Sequence, residues 1–191
     1  MNDYYEDHFQ EYFQSTFHVD PSSFLTPLTS KLKTGATILD VGCGSGRDLL
    51  WLKQRGFEPK GLERSPSLAM LARQASGCEV IEADFCSYDF SREQLDAIVL
   101  IGALVHLNRE QFPQVLNSIR KAVKTGGYIL LSLKEGVGSR QSPDGRLFTL
   151  WTVDELAEIF YDLGLEPVDE SRQISRVRGD DIWLGYLLRK D

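Results

Sequence analysis

The chain has 191 residues, 42% of them hydrophobic and 26% charged, which fits one globular domain long enough to bury a sizeable core. Its net charge of −7 argues against broad nucleic-acid binding, which requires a concentrated basic face, although a local basic patch stays compatible with it. Three cysteines without C-x-x-C spacing predict a reducing cytoplasm and no metal site, and no apolar stretch predicts a signal peptide or a membrane span.

Residues 1–34 form an aromatic-rich stretch that is predicted to be helical and to precede the first strand. It contains Tyr5 and Tyr12, and a second helix is expected to begin at Pro21. The remainder, residues 35–191, alternates predicted strands and helices, as expected of one α/β domain. One interpretation of the aromatic side chains is that they pack on the edge of the sheet.

A glycine-rich turn between a predicted strand and a predicted helix is the centre of the sequence. The apolar run 38–41 indicates a buried strand, glycines follow at positions 42, 44 and 46, and a helix is expected from Asp48. Arg47 stands where a dinucleotide fingerprint has its third glycine, and P-loop spacing does not fit. Asp40, at the end of the strand, suits a ligand that carries an ammonium group.

The turn Asp40–Gly46 resembles the first motif of class I S-adenosylmethionine (AdoMet) methyltransferases. Glu63 ends the second predicted strand, where a carboxylate accepts hydrogen bonds from both hydroxyls of a ribose. In this family the residues after strand three bind adenine, and Asp84 and Phe85 stand at that position. The resemblance implies AdoMet as cofactor and S-adenosylhomocysteine as product. The cofactor contacts it implies are Asp40, Gly42, Gly44, Gly46, Glu63, Arg64, Asp84, Phe85, Ile101 and Tyr12.

The fourth predicted strand, Asp96–Leu104, is a continuous apolar run typical of a central parallel strand. Its carboxyl end is expected to face the ligand cleft and to place Ile101 near the cofactor. His106 lies just beyond. It is either a general base, because an imidazole titrates near neutral pH, or a structural histidine bonded to the backbone.

The resemblance also gives residues 1–34 a second interpretation, a helical lid over the cofactor cleft in which Tyr5 or Tyr12 touches the ligand. Packing on the sheet edge remains the alternative.

A long glycine-rich loop is predicted at residues 134–148, after the fifth strand (Tyr128–Leu133) and beside the substrate side of the cleft. Its basic side chains, Lys134, Arg140 and Arg146, are candidates to hold an anion, because arginine grips carboxylates and phosphates through two parallel bonds. The competing interpretation is a solvated loop.

A final hairpin is predicted from Glu170–Arg178 and Trp183–Arg189. Its first arm carries arginines on one face by strand alternation, and they are either solvated or in contact with substrate. They are Arg172, Arg176 and Arg178.

Together these features predict a three-layer Rossmann-like sandwich with a seven-stranded, mostly parallel sheet and an antiparallel C-terminal hairpin. The resemblance implies a cytoplasmic methyltransferase, monomeric or homodimeric, that acts on a small molecule without membrane contact. Its substrate contacts would be Lys134, Arg146 and Arg172, and its candidate catalytic residue His106. Methylation of RNA or protein and a non-catalytic AdoMet-binding module remain alternatives.

Overall fold

A computed structural model describes residues 4–175 and 181–191, where helices and strands alternate after a helical N-terminal segment. The helices are α1 (Tyr4–Asp7), α2 (Phe9–Thr16), α3 (Ser22–Thr29), α4 (Arg47–Lys53), α5 (Pro66–Ser76), α6 (Gln111–Lys121) and α7 (Val153–Asp162). The strands are β1 (Thr37–Val41), β2 (Glu58–Glu63), β3 (Val80–Glu82), β4 (Leu95–Ile101), β5 (Val123–Glu135), β6 (Ser139–Gln141), β7 (Leu147–Trp151), β8 (Leu165–Ile174) and β9 (Ile182–Lys190). Two 3-10 turns lie at Phe90–Arg92 and Leu104–His106.

The main body of the sheet has the strand order β3-β2-β1-β4-β5-β9-β8. The neighbours from β3 to β5 pair in parallel, whereas β9 pairs antiparallel with both β5 and β8. The predicted mostly parallel sheet with an antiparallel C-terminal hairpin is therefore confirmed. In a sheet of this kind, ligands bind outside the carboxyl ends of the parallel strands.

Consecutive residues of the central strands enter different core clusters, because side chains alternate between the two faces of a sheet. Ile38 packs with Leu28 of α3 and Leu52 of α4. Its neighbour Leu39 joins the cluster that contains Leu116 of α6 and Phe160 of α7. Helices thus cover both faces, as predicted for a three-layer sandwich, and this explains why the central strands are apolar throughout.

Strands β4 and β5 differ from their predicted bounds, and in both a glycine explains the difference. Strand β4 ends at Ile101 rather than at residue 104, because Gly102 adopts φ 69° and turns the chain into the 3-10 helix. Strand β5 begins at Val123 rather than at residue 128, because Gly126, with φ 75°, forms an irregularity inside the strand rather than a turn before it.

The prediction of a loop over residues 134–148 is wrong for much of that stretch. Strands β6 and β7 pair antiparallel there, and Lys134 and Glu135 of β5 pair in parallel with Leu150 and Trp151 of β7. The described sheet therefore has nine strands rather than seven. The run Leu147–Trp151, rich in residues that favour strands, was the signal for β7. It was obscured by the turn residues that precede it.

Strand β8 begins at Leu165, earlier than predicted, with a register shift against β9 between Pro167 and Asp169. The predicted arginines 176 and 178 lie outside the described residues. Over the part of the chain that the structure describes, none of the helices has the length and apolar character to cross a membrane.

Candidate cofactor and acceptor site

The turn between β1 and α4 contains three glycines with positive φ. The values are 71° for Gly42, 51° for Gly44 and 75° for Gly46. Two cavities lie next to this turn within residues 4–175 and 181–191. Gly42 lines both and Gly44 lines the smaller one, whereas Gly46 lines neither of these two. A Cβ atom on Gly46 would lie 2.8 Å from Cα of Ala72 in α5. The structure therefore gives Gly46, predicted as a cofactor contact, a role in packing α4 against α5.

Two adjoining cavities lie at the carboxyl ends of the parallel strands. The larger has a volume of about 470 Å³ and the smaller about 100 Å³. Five residues line both: Tyr5, Tyr12, Gly42, Ile101 and Gly102. The predicted contacts Tyr12 and Ile101 thus stand where the two spaces meet.

The smaller cavity is lined by four of the predicted cofactor contacts, Glu63, Arg64, Asp84 and Phe85. Glu63 is 8% exposed, and its carboxylate accepts hydrogen bonds from the backbone N–H groups of Gly44 and Ser65, both at 2.9 Å. Burial raises its pKa, and backbone hydrogen bonds from Ser65, Gly44 and Arg64 oppose that shift. A carboxylate has about four acceptor positions, so Glu63 retains capacity for a hydroxyl donor.

Asp84 opens the short segment after β3. One carboxylate oxygen accepts from the backbone N–H of Cys86 at 2.8 Å, and the other lies 3.8 Å from Nη1 of Arg64. Phe85 packs against the main core cluster and also faces the cavity. The pair therefore offers an acceptor and an apolar ring at one small cavity, which suits a planar base with an exocyclic amine.

Asp40 is 2% exposed and lies behind the glycine turn, on no wall of the two cavities that the described residues form. Its Oδ2 atom is buried and has no hydrogen-bond partner among the described residues. Burial, followed by the charge of Asp48, raises the pKa of Asp40 well above its ordinary value. An orphaned carboxylate oxygen of this kind suits a cationic group supplied from outside the chain.

Arg47 and Asp48, the first residues of α4, line the larger cavity next to the turn. The Nε and Nη2 groups of Arg47 donate to the two carboxylate oxygens of Asp48 at 2.6 and 3.0 Å. Neither residue was predicted from the sequence to contact a ligand. Arg47 was noted only because it stands where the dinucleotide fingerprint has its third glycine. The signal was an arginine–aspartate pair directly after the glycine turn, which brings a cation and an anion to the cavity wall together.

His106 lies at the end of the 3-10 turn and lines the smaller cavity. Its Nδ1 atom is 2.7 Å from the carbonyl oxygen of Leu147, and its Nε2 atom is 2.7 Å from the hydroxyl of Tyr5. A carbonyl only accepts, so Nδ1 carries the proton and, in the neutral ring, Nε2 accepts from Tyr5. Both predicted roles of His106 are therefore present in its geometry, a backbone bond on one nitrogen and a basic nitrogen on the other.

Burial shifts the pKa values of this pair in opposite directions. It lowers the pKa of His106, and the nearby cations Arg146, Lys134 and Arg64 lower it further against the bond to Leu147. It raises the pKa of Tyr5, although a long hydrogen bond from Arg146, at 3.4 Å, opposes that shift. Near neutral pH the pair is thus an uncharged imidazole and an uncharged phenol.

The N-terminal segment is attached on both sides of the cavities. On one side the carboxylate of Glu6 accepts from the hydroxyls of Ser65 and Ser67, both at 2.5 Å, at the start of α5. On the other side the guanidinium of Arg146 lies 4.3 Å from the ring centre of Tyr4. Tyr5 and Tyr12, which contact each other edge to face at 5.1 Å, lie between these attachments.

The predicted substrate residues separate in the structure. Lys134 and Arg146 line the larger cavity. Arg172 lines neither cavity formed by the described residues: its side chain is 62% exposed and pairs with Glu135 at 2.7 Å. Of the three predicted acceptor contacts, Lys134 and Arg146 thus lie at the larger cavity and Arg172 lies away from it.

Comparison with known proteins agrees with this arrangement. The model of a methyltransferase domain family matches residues 38–127, the span that contains the glycine turn, Glu63, Asp84 and Ile101. A probable AdoMet-dependent methyltransferase, TehB of Haemophilus influenzae, is 25% identical over 165 residues, which are 82% of this chain and 54% of that protein. Residues 38–127 thus match a methyltransferase domain, and the chain is similar to a probable AdoMet-dependent methyltransferase over most of its length.

Two further similar proteins extend the comparison. A tRNA (carboxymethyluridine(34)-5-O)-methyltransferase of Arabidopsis thaliana is 31% identical over 126 residues, 63% of this chain and 28% of that protein. The Burkholderia thailandensis 1,6-didemethyltoxoflavin-N1-methyltransferase, crystallised with 1,6-didemethyltoxoflavin and S-adenosylhomocysteine, has the same fold. Its TM-score is 0.75 at 21% identity, over 99% of this chain and 88% of that one. The chain spans about half the length of the first relative, TehB.

The class I methyltransferases bind AdoMet, and the residues present here fit that cofactor. The orphaned oxygen of Asp40 matches its ammonium group, and Glu63 retains acceptor capacity for its ribose. A Cβ atom on Gly44 would lie 3.0 Å from the ring of Tyr12, so only glycine leaves the turn open beneath that ring.

Proposed function

We propose that the chain transfers a methyl group from AdoMet to a small molecule bound in the larger cavity. The observation that supports this best is that the larger cavity, of about 470 Å³, continues beyond the five residues that it shares with the smaller cavity. A non-catalytic AdoMet-binding module would have no use for that space.

The residues along the two cavities divide the binding of AdoMet between them. Asp84 and Phe85 would hold the adenine and Glu63 the ribose hydroxyls, all from the smaller cavity. At the other end Asp48 would hold the ammonium group and Arg47 the carboxylate, while buried Asp40, which lines neither cavity that the described residues form, would add negative charge beside them. Arginine has five N–H donors, and its two hydrogen bonds to Asp48 leave others for a ligand.

AdoMet supplies an activated methyl group on a sulfonium centre, so the chain need only position the acceptor and exclude water. Ile101 and Gly102, which border both cavities, would lie where the acceptor meets the methyl group. Holding the two reactants at about 3 Å in line accounts for much of the rate in such a reaction.

Tyr5 and His106 would remove a proton from an acceptor that carries one. The proton of Tyr5 points to Nε2 of His106, so the phenol oxygen is left to accept from the acceptor. His106 would then act as base through Tyr5 rather than in direct contact.

The first two helices, α1 and α2, would form a lid over the two cavities, whereas the rest of the predicted lid does not fit that role because α3 packs Leu25 and Leu28 into the core. Tyr5 and Tyr12 line both, and the hydrogen bonds of Glu6 to the start of α5 hold the segment closed. Because these contacts hold the segment across the cavities, we expect it to open during each turnover.

Two measurements test this proposal. Calorimetry with S-adenosylhomocysteine should show binding that Arg47→Gln and Asp40→Asn each weaken about tenfold or more, whereas Arg92→Gln, an exposed arginine paired with Asp89, leaves it unchanged. Radiolabelled AdoMet with a fractionated extract of cells that lack the gene should then label the small-molecule fraction. Binding without label in the small-molecule, RNA or protein fraction would contradict catalysis and favour a binding module.

RNA is the second candidate acceptor, because one relative, 31% identical over 63% of this chain, is a tRNA methyltransferase. Label in the RNA fraction alone would support it and overturn the small-molecule proposal. The net charge of −7 favours the small molecule, since RNA binding relies on neutralising phosphates.

A further inference from the structure

The part of the larger cavity beyond Ile101 has a wall of distinct chemistry, which we call the acceptor wall. It consists of Tyr5, Lys134, Arg146, Phe148, Asp181 and Trp183. These residues come from α1, β5, the β6–β7 turn, β7, β9 and the position just before β9, so the wall exists only in the folded chain.

Flat apolar surfaces dominate the acceptor wall. A Cβ atom on Gly102 would lie 3.4 Å from the Trp183 ring, which places that ring against the end of β4 where the methyl group is expected. The rings of Phe148 and Trp183 both flank Nζ of Lys134, at 4.6 and 4.8 Å from their centres. Aromatic walls of this kind favour a planar ligand, because rings stack face to face or edge to face.

Cations outnumber anions at the acceptor wall. Lys134 is 4% exposed and pairs with buried Asp181, whose other oxygen binds Arg140. Asp181 thus pairs with two cations, and of these only Lys134 lines the cavity. Arg146 pairs with Asp144, and its Nη1 group points to the hydroxyl of Tyr5 at 3.4 Å.

The positive character extends to the reacting end of the site. The charged groups that act on the pKa of His106 are Arg146, Lys134 and Arg64, all cations. The acidic residues Glu11, Asp20 and Asp48 line the same cavity at its other end, among α2, α4 and the segment before α3, where the methionine part of AdoMet is expected. In a chain of net charge −7, this local reversal at a largely buried wall favours an anionic ligand.

We propose that the acceptor is a planar aromatic or heteroaromatic acid, with its ionised group at Arg146 and Lys134 and its ring against Trp183 and Phe148. This inference rests on the proposed methyltransferase function and names its substrate class. A hydroxyl or ring N–H of the acceptor faces Tyr5. Its lone pair forms the bond to the methyl carbon, the carbon–sulfur bond breaks with its electrons on sulfur, and the proton leaves through Tyr5 to His106.

Matched probes test the charge and the shape of the acceptor separately. Calorimetry on protein saturated with S-adenosylhomocysteine would compare 4-hydroxybenzoate with its carboxamide, with 4-hydroxybenzylamine and with the non-planar 4-hydroxycyclohexanecarboxylate. The fused-ring 2-hydroxyquinoline-4-carboxylate and its amide repeat the comparison on a larger ring. We expect at least one acid to bind about tenfold or more tighter than its amide, and the amine and the cyclohexane acid to bind more weakly.

Variants assign the effect to the wall. Arg146→Gln should abolish the preference for acid over amide, Arg146→Lys should restore part of it, and Arg92→Gln should leave it unchanged. Trp183→Leu should reduce the affinity of the planar acid toward that of the cyclohexane acid. Trp183→Leu should change the affinity for S-adenosylhomocysteine no more than about twofold. The Arg146 variants also alter the contact with Tyr4, so they are judged by the ratio of acid to amide affinity on protein saturated with S-adenosylhomocysteine.

The outcomes that overturn the inference are equally specific. Tighter binding of the amine or the amide, equal binding of the cyclohexane acid, or binding of no acid to the saturated protein would each refute an aromatic anion. If S-adenosylhomocysteine itself does not bind, the proposed function fails first and the inference falls with it.

Discussion

The hydroxyl of Tyr5 lies 2.7 Å from Nε2 of His106, although the two residues are 101 positions apart in the chain. This hydrogen bond joins the N-terminal segment to the carboxyl end of β4 and places a phenol oxygen at the meeting point of the two cavities. The same contact would therefore both hold the N-terminal segment closed and take part in removing a proton from the acceptor.

The first prediction concerns this contact. Tyr5→Phe and His106→Ala should each lower kcat about 100-fold or more if the acceptor must lose a proton, the usual range for general acid–base catalysis. Binding of S-adenosylhomocysteine should change little. The matched control is Tyr161→Phe, since Tyr161 is 85% exposed. Equal turnover of Tyr5→Phe and wild type on the true acceptor would show that Tyr5 transfers no proton.

The second prediction concerns pH. Burial holds the pKa of His106 below its ordinary value of 6.5, so the acid limb of the kcat profile should lie below that pH. Arg146→Gln removes one of the cations that lower this pKa and should move the limb to higher pH. A limb at or above pH 6.5 in the wild type would contradict an uncharged, buried His106.

The same shift predicts the sign of a stability change. Between the folded and unfolded pKa values of His106 the unfolded chain binds more protons, so the free energy of unfolding should rise with pH through that window and fall on acidification. Urea unfolding of wild type and His106→Ala at several pH values should show that this contribution is lost in the variant. His18→Asn is the matched control, because His18 is exposed.

The third prediction concerns the ribose site. Glu63→Gln should weaken the binding of S-adenosylhomocysteine by about 1.5–3 kcal/mol, the scale of a hydrogen bond to a charged group. Its amide can no longer accept from all its present partners, Gly44 and Ser65 among them. Glu79→Gln changes an exposed side chain, 61% accessible, and should bind normally. Calorimetry decides between them, and full affinity of Glu63→Gln would remove Glu63 from the cofactor site.

The fourth prediction concerns the attachment of the lid. Glu6→Gln weakens the hydrogen bonds to Ser65 and Ser67 and should make the N-terminal segment more accessible to limited proteolysis. It should also speed the release of S-adenosylhomocysteine in stopped-flow displacement, because the segment covers the cavities. Asp7→Asn, in the same short helix but exposed, provides the control. Unchanged cleavage and release rates would show that Glu6 does not hold the segment closed.

The fifth prediction separates packing from binding at the glycine turn. Gly35→Ala and Gly46→Ala place alanine at similar φ values, 80° and 75°, and only the second Cβ meets a neighbour, Cα of Ala72 at 2.8 Å. Gly35→Ala should cost about 1 kcal/mol of unfolding free energy from backbone strain. Gly46→Ala should cost about 1–3 kcal/mol more from overpacking. Thermal unfolding measures both, and equal costs would refute a packing role for Gly46.

The fold class and the edge of the sheet that carries the candidate site could be predicted from the sequence. Glu63 and Asp84 could be predicted as candidates because each ends or closely follows a strand of the parallel sheet, and the carboxyl ends of parallel strands meet at one edge. The order of the strands along the chain, the apolar runs and the spacing of the glycines are features of local sequence, and the folded chain keeps them.

Only the folded chain shows which residues far apart in the sequence contact each other. The contact of Tyr5 with His106, the attachment of Glu6 to α5, and the shared pairing of Lys134 and Arg140 with Asp181 join residues 41 to 101 positions apart. Such contacts depend on how the elements pack, since strand periodicity predicts which face a side chain takes but not which distant residue it meets. For the same reason the exposed Arg172 and the wall-lining Arg146 looked alike in the sequence, and only the folded chain separated them.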